Sequence, residues 1–558
     1  MLIVVLLGLI VSLLLAAFGR HIRPGWWIFL AAAPLALSAW FVGQLPAVAG
    51  GETLLENTRW VPSLGLDLSF RLDGLSLLFG LLITVIGTLI FVYASSYLKG
   101  HPYIGRFYGY LSLFMASMLG VVLSDNLLLL FVFWELTSLS SFFLIGFNND
   151  QADSRKSALT ALCLTGLGGF FLLVGLVLMG RIAGTYSIQE LIASAGLIKD
   201  HPSYPVIIAL IFIGAFTKSA QFPFHFWLPD AMKAPTPVSA YLHSATMVKA
   251  GVFLLLRFTP LLGGTPGWSY TLLLVGGFTM MYAGGHALFR TDLKSVLAYS
   301  TIAVLGVLTF LIGLGTREAL IAACTFVIVH ALYKATLFLT TGIIDHETGT
   351  RDLTQLSGLR TVLMPVFIAG LLAALSSAGV PLFFGFIGKD LIYEATLHAG
   401  EEFRLYLTVA AVFANICLVA AGFMAGIKPF TGRLVPQFKQ VHLPEWSMWI
   451  PPLVLALLCL VFGLFPGSIG KLIVSPSLAA VSVAGEPVHL KIWHGFNPVL
   501  LLSGATLAAG TVLYLLNSAS ANKMAFVGRF EVVSPQSLFN RGWRQLMRFS
   551  SLYTGILH

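Results

Sequence analysis

The sequence predicts an all-α polytopic membrane protein with about 15 transmembrane helices. Hydrophobic residues make up 57% of the 558 residues, and the mean hydropathy is +0.90. Charged residues make up only 10%, against about 25% in an ordinary soluble domain. Because so few polar side chains cannot cover a surface that faces water, lipid must be the main solvent. The same composition excludes a disordered chain, a coiled coil and a disulfide scaffold.

The candidate spans are apolar runs of roughly 20 residues, the length that a helix needs to cross a bilayer. No alternating pattern typical of a transmembrane barrel is visible, so helices are predicted. The first run is followed by Arg20 and Arg23 and is not preceded by a positive charge, so it is predicted to be a retained span rather than a signal peptide. The spans lie near 2–18, 27–44, 75–97, 107–123, 126–146, 158–180, 205–229, 237–256, 271–289, 295–314, 319–343, 362–396, 405–427, 450–466 and 498–517.

The basic residues between the spans predict the orientation. With the N-terminus outside and the C-terminus cytoplasmic, the inner loops carry 19 Lys and Arg residues and the outer loops carry 9. This excess follows the positive-inside rule for a multi-pass protein of the cell inner (plasma) membrane. It also accounts for the net charge of +9 without nucleic-acid binding. The outer residues are Arg59, Arg71, Arg181, Lys199, Arg257, Arg317, Arg404, Lys471 and Lys491; the inner ones include Arg290, Lys294 and Lys439.

Two spans carry the same interruption. The segments that begin at Lys218 and Ser376 share the pattern S-A-x-x-P-x-x-F at an offset of 158 residues. A proline inside a helix removes a backbone hydrogen bond and opens a local polar spot. Paired interrupted spans are typical of transporters that are built from repeated halves. The matching residues are Ser219, Ala220, Pro223 and Phe226, and Ser377, Ala378, Pro381 and Phe384.

Seven ionisable residues lie at the depth of the predicted bilayer. Such a group costs roughly 2.5–3.5 kcal/mol on insertion scales, so a set of this size indicates function rather than static ion pairs. Burial lowers the proton affinity of a lysine and a nearby glutamate raises it again, so a Glu–Lys pair can switch its proton affinity. The seven residues are Glu135, Lys218, His243, Lys249, His330, Lys334 and Lys389.

The spacing of two pairs within this set predicts how the side chains face. His330 and Lys334 are four residues apart, so they share a helix face and can form a proton-accepting pair. His243 and Lys249 are six residues apart, about 240° around a helix, so they are expected to face different neighbours.

Other motifs favour structural roles, and no cofactor or metal is predicted. His346 begins HETGT, which lacks the second histidine of a zinc-protease motif. The glycines of TGLGGF, from Thr165, favour close helix packing over a phosphate loop. Four cysteines lie singly in apolar runs as small hydrophobic residues, without the spacing of metal ligands: Cys163, Cys324, Cys417 and Cys459.

Six stretches between about residues 70 and 430 carry a family resemblance. They are RLDGLSLLF from Arg71, SDNLLLLFVFWELTSLSSFFLIGF from Ser124, KSAQFPFHFWLPDAMKAPTPVSAYLHSATMVKAG from Lys218, DLKSVLAYSTIAVLG from Asp292, HALYKATLFLTTGIIDHETGTRDL from His330 and GFIGKDLIYEA from Gly385. Together they resemble the antiporter-like family that respiratory complex I shares with Mrp-type multisubunit Na⁺/H⁺ antiporters. Within it, MVKAG, DHETGTRDL and WHGFNPVLLLS resemble the large A subunits of Mrp antiporters.

The resemblance implies two inverted five-helix repeats, each with a broken helix. The expected units are N-terminal spans (1–100), a first antiporter repeat (101–260), a second repeat (261–430), C-terminal spans (431–520) and a cytoplasmic amphipathic segment (521–558). The A subunits usually continue through a further membrane region beyond that segment. Since the sequence stops inside it, we expect either a truncated sequence or a separate chain that carries the remainder.

The resemblance also implies one proton path through the seven intramembrane residues. Its parts are an ion pair in the first half (Glu135 and Lys218), a bridge through water between the halves (His243 and Lys249), a central carrier helped by a histidine (Lys334 and His330) and a link to the exit side (Lys389).

The expected function is proton translocation within a multisubunit Na⁺/H⁺ antiporter, with other membrane subunits as partners. Two alternatives stay open. One is the proton-pumping membrane arm of an NADH or ferredoxin–quinone oxidoreductase, in which this chain is a non-redox enzyme subunit. The other is a proton-conducting partner that energises another uptake protein, for example for inorganic carbon. The sequence leaves open which cation moves, its stoichiometry and whether Na⁺ crosses this chain.

Overall fold

The apolar runs of the sequence form long α-helices. The computed structural model describes residues 1–23, 25–482, 486–493, 495–518, 534–542 and 544–545. In these residues the helices α1 to α12 are Leu2–Phe18, Ala32–Ala49, Gly74–Tyr97, Ile104–Leu123, Leu127–Ile145, Ala152–Ala183, Ile188–Ala193, Ala195–Lys199, Tyr204–Lys218, Trp227–Asp230, Thr236–Ser244 and Met247–Leu262. Helices α13 to α22 are Pro266–Ala287, Leu293–Leu314, Arg317–Thr348, Met364–Ala378, Phe384–Leu397, Glu401–Gly426, Trp446–Leu464, Pro466–Ile469, Ser475–Val481 and Pro498–Ser518.

Enough of these helices are apolar to make the chain a multi-pass membrane protein, as predicted. In the described part of the chain, 11 helical stretches are long and apolar enough to cross a membrane. The shorter helices α1, α9 and α16 are also apolar. Each predicted span overlaps a helix. The number of crossings, and the two inverted repeats, stay predictions.

One hairpin departs from the all-α prediction. Strands β1 (Leu54–Val61) and β2 (Leu66–Leu72) pair antiparallel, with Asn57 opposite Ser69. Gly65 closes the connection with a φ of +67°, a conformation that glycine adopts without strain. The hairpin lies between α2 and α3 and leads directly into α3. It was missed because its short alternating segment was assigned to a loop between two spans.

Both predicted interruptions are present. Helix α9 ends at Lys218, and the chain resumes a helical path only at 224. Helix α16 ends at Ala378 and α17 begins at Phe384. Each break holds one non-glycine residue in the left-handed region, Ala220 with a φ of 48° and Leu382 with a φ of 78°. Such conformations carry strain and are tolerated where the surroundings enforce them.

A third interruption was not predicted. Helix α11 ends at Ser244 and α12 begins at Met247, within the expected continuous span 237–256. The Thr246 hydroxyl donates to the Tyr241 carbonyl oxygen at 2.7 Å. A threonine hydroxyl can compete in this way with the backbone bonds of a helix. The angle of about 240° between His243 and Lys249 assumed one continuous helix, so it does not apply across this break.

A buried ion pair joins the hairpin to helices from distant parts of the chain. Asp73 caps α3 by accepting from the Ser76 backbone nitrogen at 3.0 Å. Arg257 of α12 donates to Asp73 Oδ1 at 2.9 Å and to Ser76 Oγ at 2.8 Å. Arg71 Nε of β2 lies 3.1 Å from Asp73 Oδ2. Arg257 was assigned to an outer loop, which is wrong, because its side chain is 2% exposed.

The expected C-terminal segment lies largely outside the described residues, since 519–533, 543 and 546–558 are not among them. Its described part, 534–542, contacts the chain just after the first break. Gln536 Nε2 donates to both carboxylate oxygens of Asp230, at 2.9 and 3.1 Å. The Phe539 and Phe226 ring centroids are 5.2 Å apart.

Breaking the buried pair is expected to destabilise the whole fold. Arg257→Met removes two hydrogen bonds to the buried Asp73 carboxylate and leaves Arg71 beside it, so it should cost about 3 kcal/mol. Lys99→Met is the control, because Lys99 pairs with Glu445 on the surface and exposed pairs contribute about 1 kcal/mol or less. Thermal unfolding in detergent measures both changes. Equal melting temperatures for the two variants would contradict the structural role of Arg257.

The same pair sets a pH window for stability. Burial raises the pKa of Asp73, but Arg257 and Arg71 lower it more, and the result is a pKa of about 2. A carboxyl with a depressed pKa stabilises the fold above its unfolded pKa near 3.9 and loses that contribution as the pH falls toward 2. Unfolding curves of the wild type should therefore change little from this group between pH 5 and 8. They should lose its contribution below about pH 4, and the Arg257→Met variant should show a smaller loss.

Candidate functional site

Five buried lysines lie between the helices, the four predicted ones and Lys294. Each Nζ donates to a main-chain carbonyl oxygen, and in the described residues none of the five forms an ion pair with Asp or Glu. The acceptors are Trp134 for Lys218 (3.2 Å), Val327 for Lys249 (2.8 Å), Ala234 for Lys294 (3.0 Å), Leu297 for Lys334 (3.3 Å) and Ala378 for Lys389 (3.0 Å).

Two of these lysine sites share one arrangement. In each site, one main-chain carbonyl accepts a hydrogen bond from the lysine. The same carbonyl also accepts from the side-chain hydroxyls three and four residues further along its helix. One of these two hydroxyls in turn accepts a second hydrogen bond from the lysine. The groups are Trp134, Thr137 and Ser138 on α5, facing Lys218, and Leu297, Ser300 and Thr301 on α14, facing Lys334. Ser138 Oγ lies 2.7 Å from Lys218 Nζ.

The expected ion pair between Glu135 and Lys218 is not formed. The lysine instead reaches one turn further along α5, to Ser138, and stacks its ammonium over the Trp134 ring at 5.2 Å. The Glu135 carboxylate stays within electrostatic range of Lys218. Its Oε1 is buried and has no hydrogen-bond partner in the described residues.

Glycines of α6 make room for the Glu135 carboxylate. A Cβ added to Gly169 would lie 1.7 Å from Glu135 Oε1, and one added to Gly168 would lie 1.9 Å from Thr217 Oγ1. At Gly166 the nearest Glu135 atom would be 3.8 Å away, an ordinary contact. The prediction that TGLGGF serves close helix packing is therefore confirmed.

The two histidines, His243 in the last turn of α11 and His330 within α15, have ring nitrogens without hydrogen-bond partners in the described residues. Both ring nitrogens of each histidine are buried. His330 is within electrostatic range of both Lys249 and Lys334, so it connects the two halves of the chain. His243 is in range of Lys294 and lies between the rings of Trp227 and Phe338, each 6.2 Å away.

Lys389 lies at the second interruption. Its Nζ bonds the carbonyl of Ala378, the last residue of α16, and helix ends leave such carbonyls without an intrahelical partner. Next to Ala378, Ser377 meets the Tyr333 side chain, and Tyr333 is the neighbour of Lys334. Polar groups of α15 and α16 thus meet close to the break that Lys389 contacts.

Sequence reasoning missed Lys294, which was assigned to an inner loop. Asp292 caps α14 by accepting from Ser295, so Lys294 lies in the first helical turn, where its side chain is 2% exposed. The D-x-x-S capping pattern could have revealed this.

A second missed feature is a row of rings beside the first break. His225, Tyr282 and His286 follow one another with centroids 5.0 and 4.9 Å apart, and Arg290 donates to Tyr299 at 3.1 Å next to them.

The arrangement suits proton transfer. A lysine that is held by a carbonyl or a hydroxyl keeps a hydrogen bond whether it is charged or neutral, because both forms can donate. Proton gain or loss therefore does not require an ion pair to break. The free imidazole nitrogens are groups that can accept and pass on a proton. In the described residues, Glu135, both histidines and the five lysines are all buried or half-buried within the helical bundle.

Two family models match this chain. A family described as "NADH:quinone oxidoreductase/Mrp antiporter, TM" matches residues 124–414. A second family, "NADH-Ubiquinone oxidoreductase (complex I), chain 5 N-terminus", matches residues 60–108.

Two curated relatives are similar over most of the chain. The A subunit of the Na⁺/H⁺ antiporter of Alkalihalophilus pseudofirmus is 41% identical over 529 residues, covering 89% of this chain and 66% of the relative. The A/B subunit of a probable K⁺/H⁺ antiporter of Rhizobium meliloti is 42% identical over 506 residues, covering 89% of this chain and 50% of the relative.

A solved structure of the Mrp complex from a Dietzia species matches with a TM-score of 0.86 and 34% identity, covering 98% of this chain and 60% of that chain. The chain thus spans only half to two thirds of the length of these proteins. The first family covers more than half of this chain and holds all seven predicted site residues. The chain therefore belongs to the NADH:quinone oxidoreductase/Mrp antiporter transmembrane family.

Proposed function

We propose that this chain is the proton-translocating component of a multisubunit monovalent cation/proton antiporter. The observation that carries the proposal is the set of five buried lysines that bond carbonyls instead of carboxylates. The names of the relatives, antiporter subunits for Na⁺ and for K⁺, support the exchange of a monovalent cation, and we favour Na⁺. The partners are then other membrane subunits.

The proton path has an order along the helices. Glu135 and Lys218 form the switchable element of the first half. Lys249, His330 and Lys334 carry the proton between the halves, supported by the electrostatic range of His330 to both lysines. Lys389, at the second break, releases the proton to the far side. His243 connects the break between α11 and α12 with Lys294.

The path of the metal cation is assigned to a neighbouring subunit. Five buried amines face the interior of this chain, and a positive charge about 4 Å from another is repelled even in water. A proton avoids this repulsion because it moves by changing the charge of the lysine itself. We infer further that the N-terminus is outside and the C-terminus cytoplasmic, in the plasma membrane, since the basic residues predominate on that side.

The two units 101–260 and 261–430 are proposed to be inverted repeats. The matching S-A-x-x-P-x-x-F interruptions at 219–226 and 377–384, at an offset of 158 residues, support this. Next to the carbonyl that accepts from Lys334, α14 has Ala298, whereas α5 has Glu135 next to the carbonyl that accepts from Lys218. The first unit is therefore the one in which a carboxylate can modulate the lysine.

Lys334→Ala should abolish most of the exchange, because a positioned proton carrier contributes typically 10²-fold or more. The measurement is the decay of a pH gradient on addition of NaCl or KCl to vesicles that contain the complete complex. Lys439→Ala is the matched control, since Lys439 is exposed on the predicted inner side. A normal exchange rate of the Lys334→Ala variant in an assembled complex would contradict the proposed role of Lys334 as a proton carrier.

Gly169→Ala should impair exchange while Gly166→Ala, one turn earlier on the same helix, should not. The added methyl at 169 collides with the Glu135 carboxylate, whereas at 166 it meets only an ordinary contact. We expect Gly169→Ala to approach the rate of Glu135→Gln. Exchange is normalised to the amount of assembled complex, so that a folding defect is seen separately. Equal rates for the two glycine variants would show that the position of the carboxylate does not matter.

A further inference from the structure

A cavity of about 380 Å³ opens between the ends of α4, α5 and α6, away from the lysines. We call it the inner groove, because it lies on the face that the basic residues predict to be cytoplasmic. Its size is in the range of small-molecule sites. Its mouth carries Arg106 and Arg155, and its wall includes Tyr110, Phe142, Phe143 and Leu159.

The wall of the inner groove is apolar and ordered. The Tyr110 and Phe143 rings stack with centroids 5.0 Å apart, and Phe142 meets Phe143 at 5.5 Å. Leu159 of α6 is 46% exposed, so the wall continues to the outside of the helix bundle. A small soluble anion gains no favourable contact from this apolar wall, whereas the acyl chain of a lipid can pack against it.

Two contributions make the mouth of the inner groove positive, namely two arginine side chains and the N-terminal ends of two helix dipoles. Arg106 and Arg155 lie in the first turns of α4 and α6, where the helix dipole already favours an anion and disfavours a cation. Arg106 is held over the Tyr103 ring at 4.8 Å, and Arg155 Nη1 donates to the Asn149 carbonyl at 2.5 Å.

The two arginines have no carboxylate partner at this site. No acidic side chain lines the inner groove in the described residues. Asp153, in the same turn as Arg155, instead faces Lys233 at 3.9 Å. A larger neighbouring cavity also touches Arg106, but there Glu445 is paired with Lys99. In the described residues, the positive charge at the inner groove is therefore not balanced by an acidic side chain in its lining.

We propose that the inner groove binds one anionic glycerophospholipid of the cytoplasmic leaflet. Its phosphate lies between Arg106 and Arg155, and an acyl chain lies against Tyr110, Phe143 and Leu159. Basic sites between helices on the cytoplasmic side are suited to anionic headgroups. The proposal rests on the membrane fold and the predicted orientation, and it is independent of the proton path.

The test is native mass spectrometry of the full-length chain in its complex, with phosphatidylglycerol or phosphatidylcholine of the same acyl chains added. Each basic residue near a lipid surface contributes about 1 kcal/mol, so Arg106→Gln with Arg155→Gln should weaken phosphatidylglycerol retention about 30-fold. Arg433→Gln with Lys439→Gln is the matched control, because it removes the same charge from exposed inner-side positions outside the groove.

A second variant separates the acyl chain from the headgroup. Leu159→Trp fills the wall and keeps both arginines, so it should also reduce phosphatidylglycerol retention. Retention by the double arginine variant, or equal retention of the two phospholipids by the wild type, would overturn the proposal. The proposal would also be overturned if inorganic phosphate competed with phosphatidylglycerol equally well in the wild type and in Leu159→Trp. The ligand would then be a free anion. A photocrosslinker at 159 that captures a protein instead of lipid would reassign the groove to that partner.

Discussion

The main constraint on this structure is that positive charge must be held inside a membrane without negative partners. An ammonium group needs hydrogen-bond acceptors wherever it is buried. Carboxylates would supply them, but they would also fix the charge. The lysines use main-chain carbonyls and serine hydroxyls instead. Because these acceptors are neutral, each lysine can gain or lose its proton while its surroundings stay in place.

Free carbonyls are scarce in a helical bundle, and the lysines obtain them in two ways. Carbonyls inside a helix already accept from the amide four residues on. Lys389 and Lys294 therefore use carbonyls where a helix has ended, Ala378 before the second break and Ala234 before Pro235. Lys218 uses the other solution, a carbonyl within α5 that is shared with the hydroxyl of Ser138. The second break thus supplies the acceptor for Lys389, whereas Lys218, Lys249 and Lys334 use carbonyls within α5, α15 and α14.

Much of this could be predicted from the sequence, because hydropathy depends on composition over some twenty residues and prolines mark the breaks. The failures concern the short hairpin, the break between α11 and α12 and the places of single side chains. Arg257 and Lys294 lie near the ends of apolar runs, where sequence alone does not distinguish a loop from a buried helical turn. The pairing of Glu135 with Lys218 depends on which turn of α5 the lysine reaches, and one turn is about 5.4 Å of rise. No one-dimensional pattern resolves such a shift.

The chain also buries a positive charge in the opposite way, in an ion pair with a carboxylate. The comparison of this ion pair with the lysines indicates what each arrangement is suited to. Arg257 and Asp73 are buried as deeply as the lysines, yet they form a closed ion pair with two donors and two acceptors. An arginine is always charged in proteins, so this pair is permanent and suits the junction of the hairpin, α3 and α12. A lysine in the same place could lose its proton and release the junction. The permanent charge of Arg257 is paired where the helices must stay together, whereas the lysines, whose charge can change, bond neutral acceptors along the path that we propose for protons.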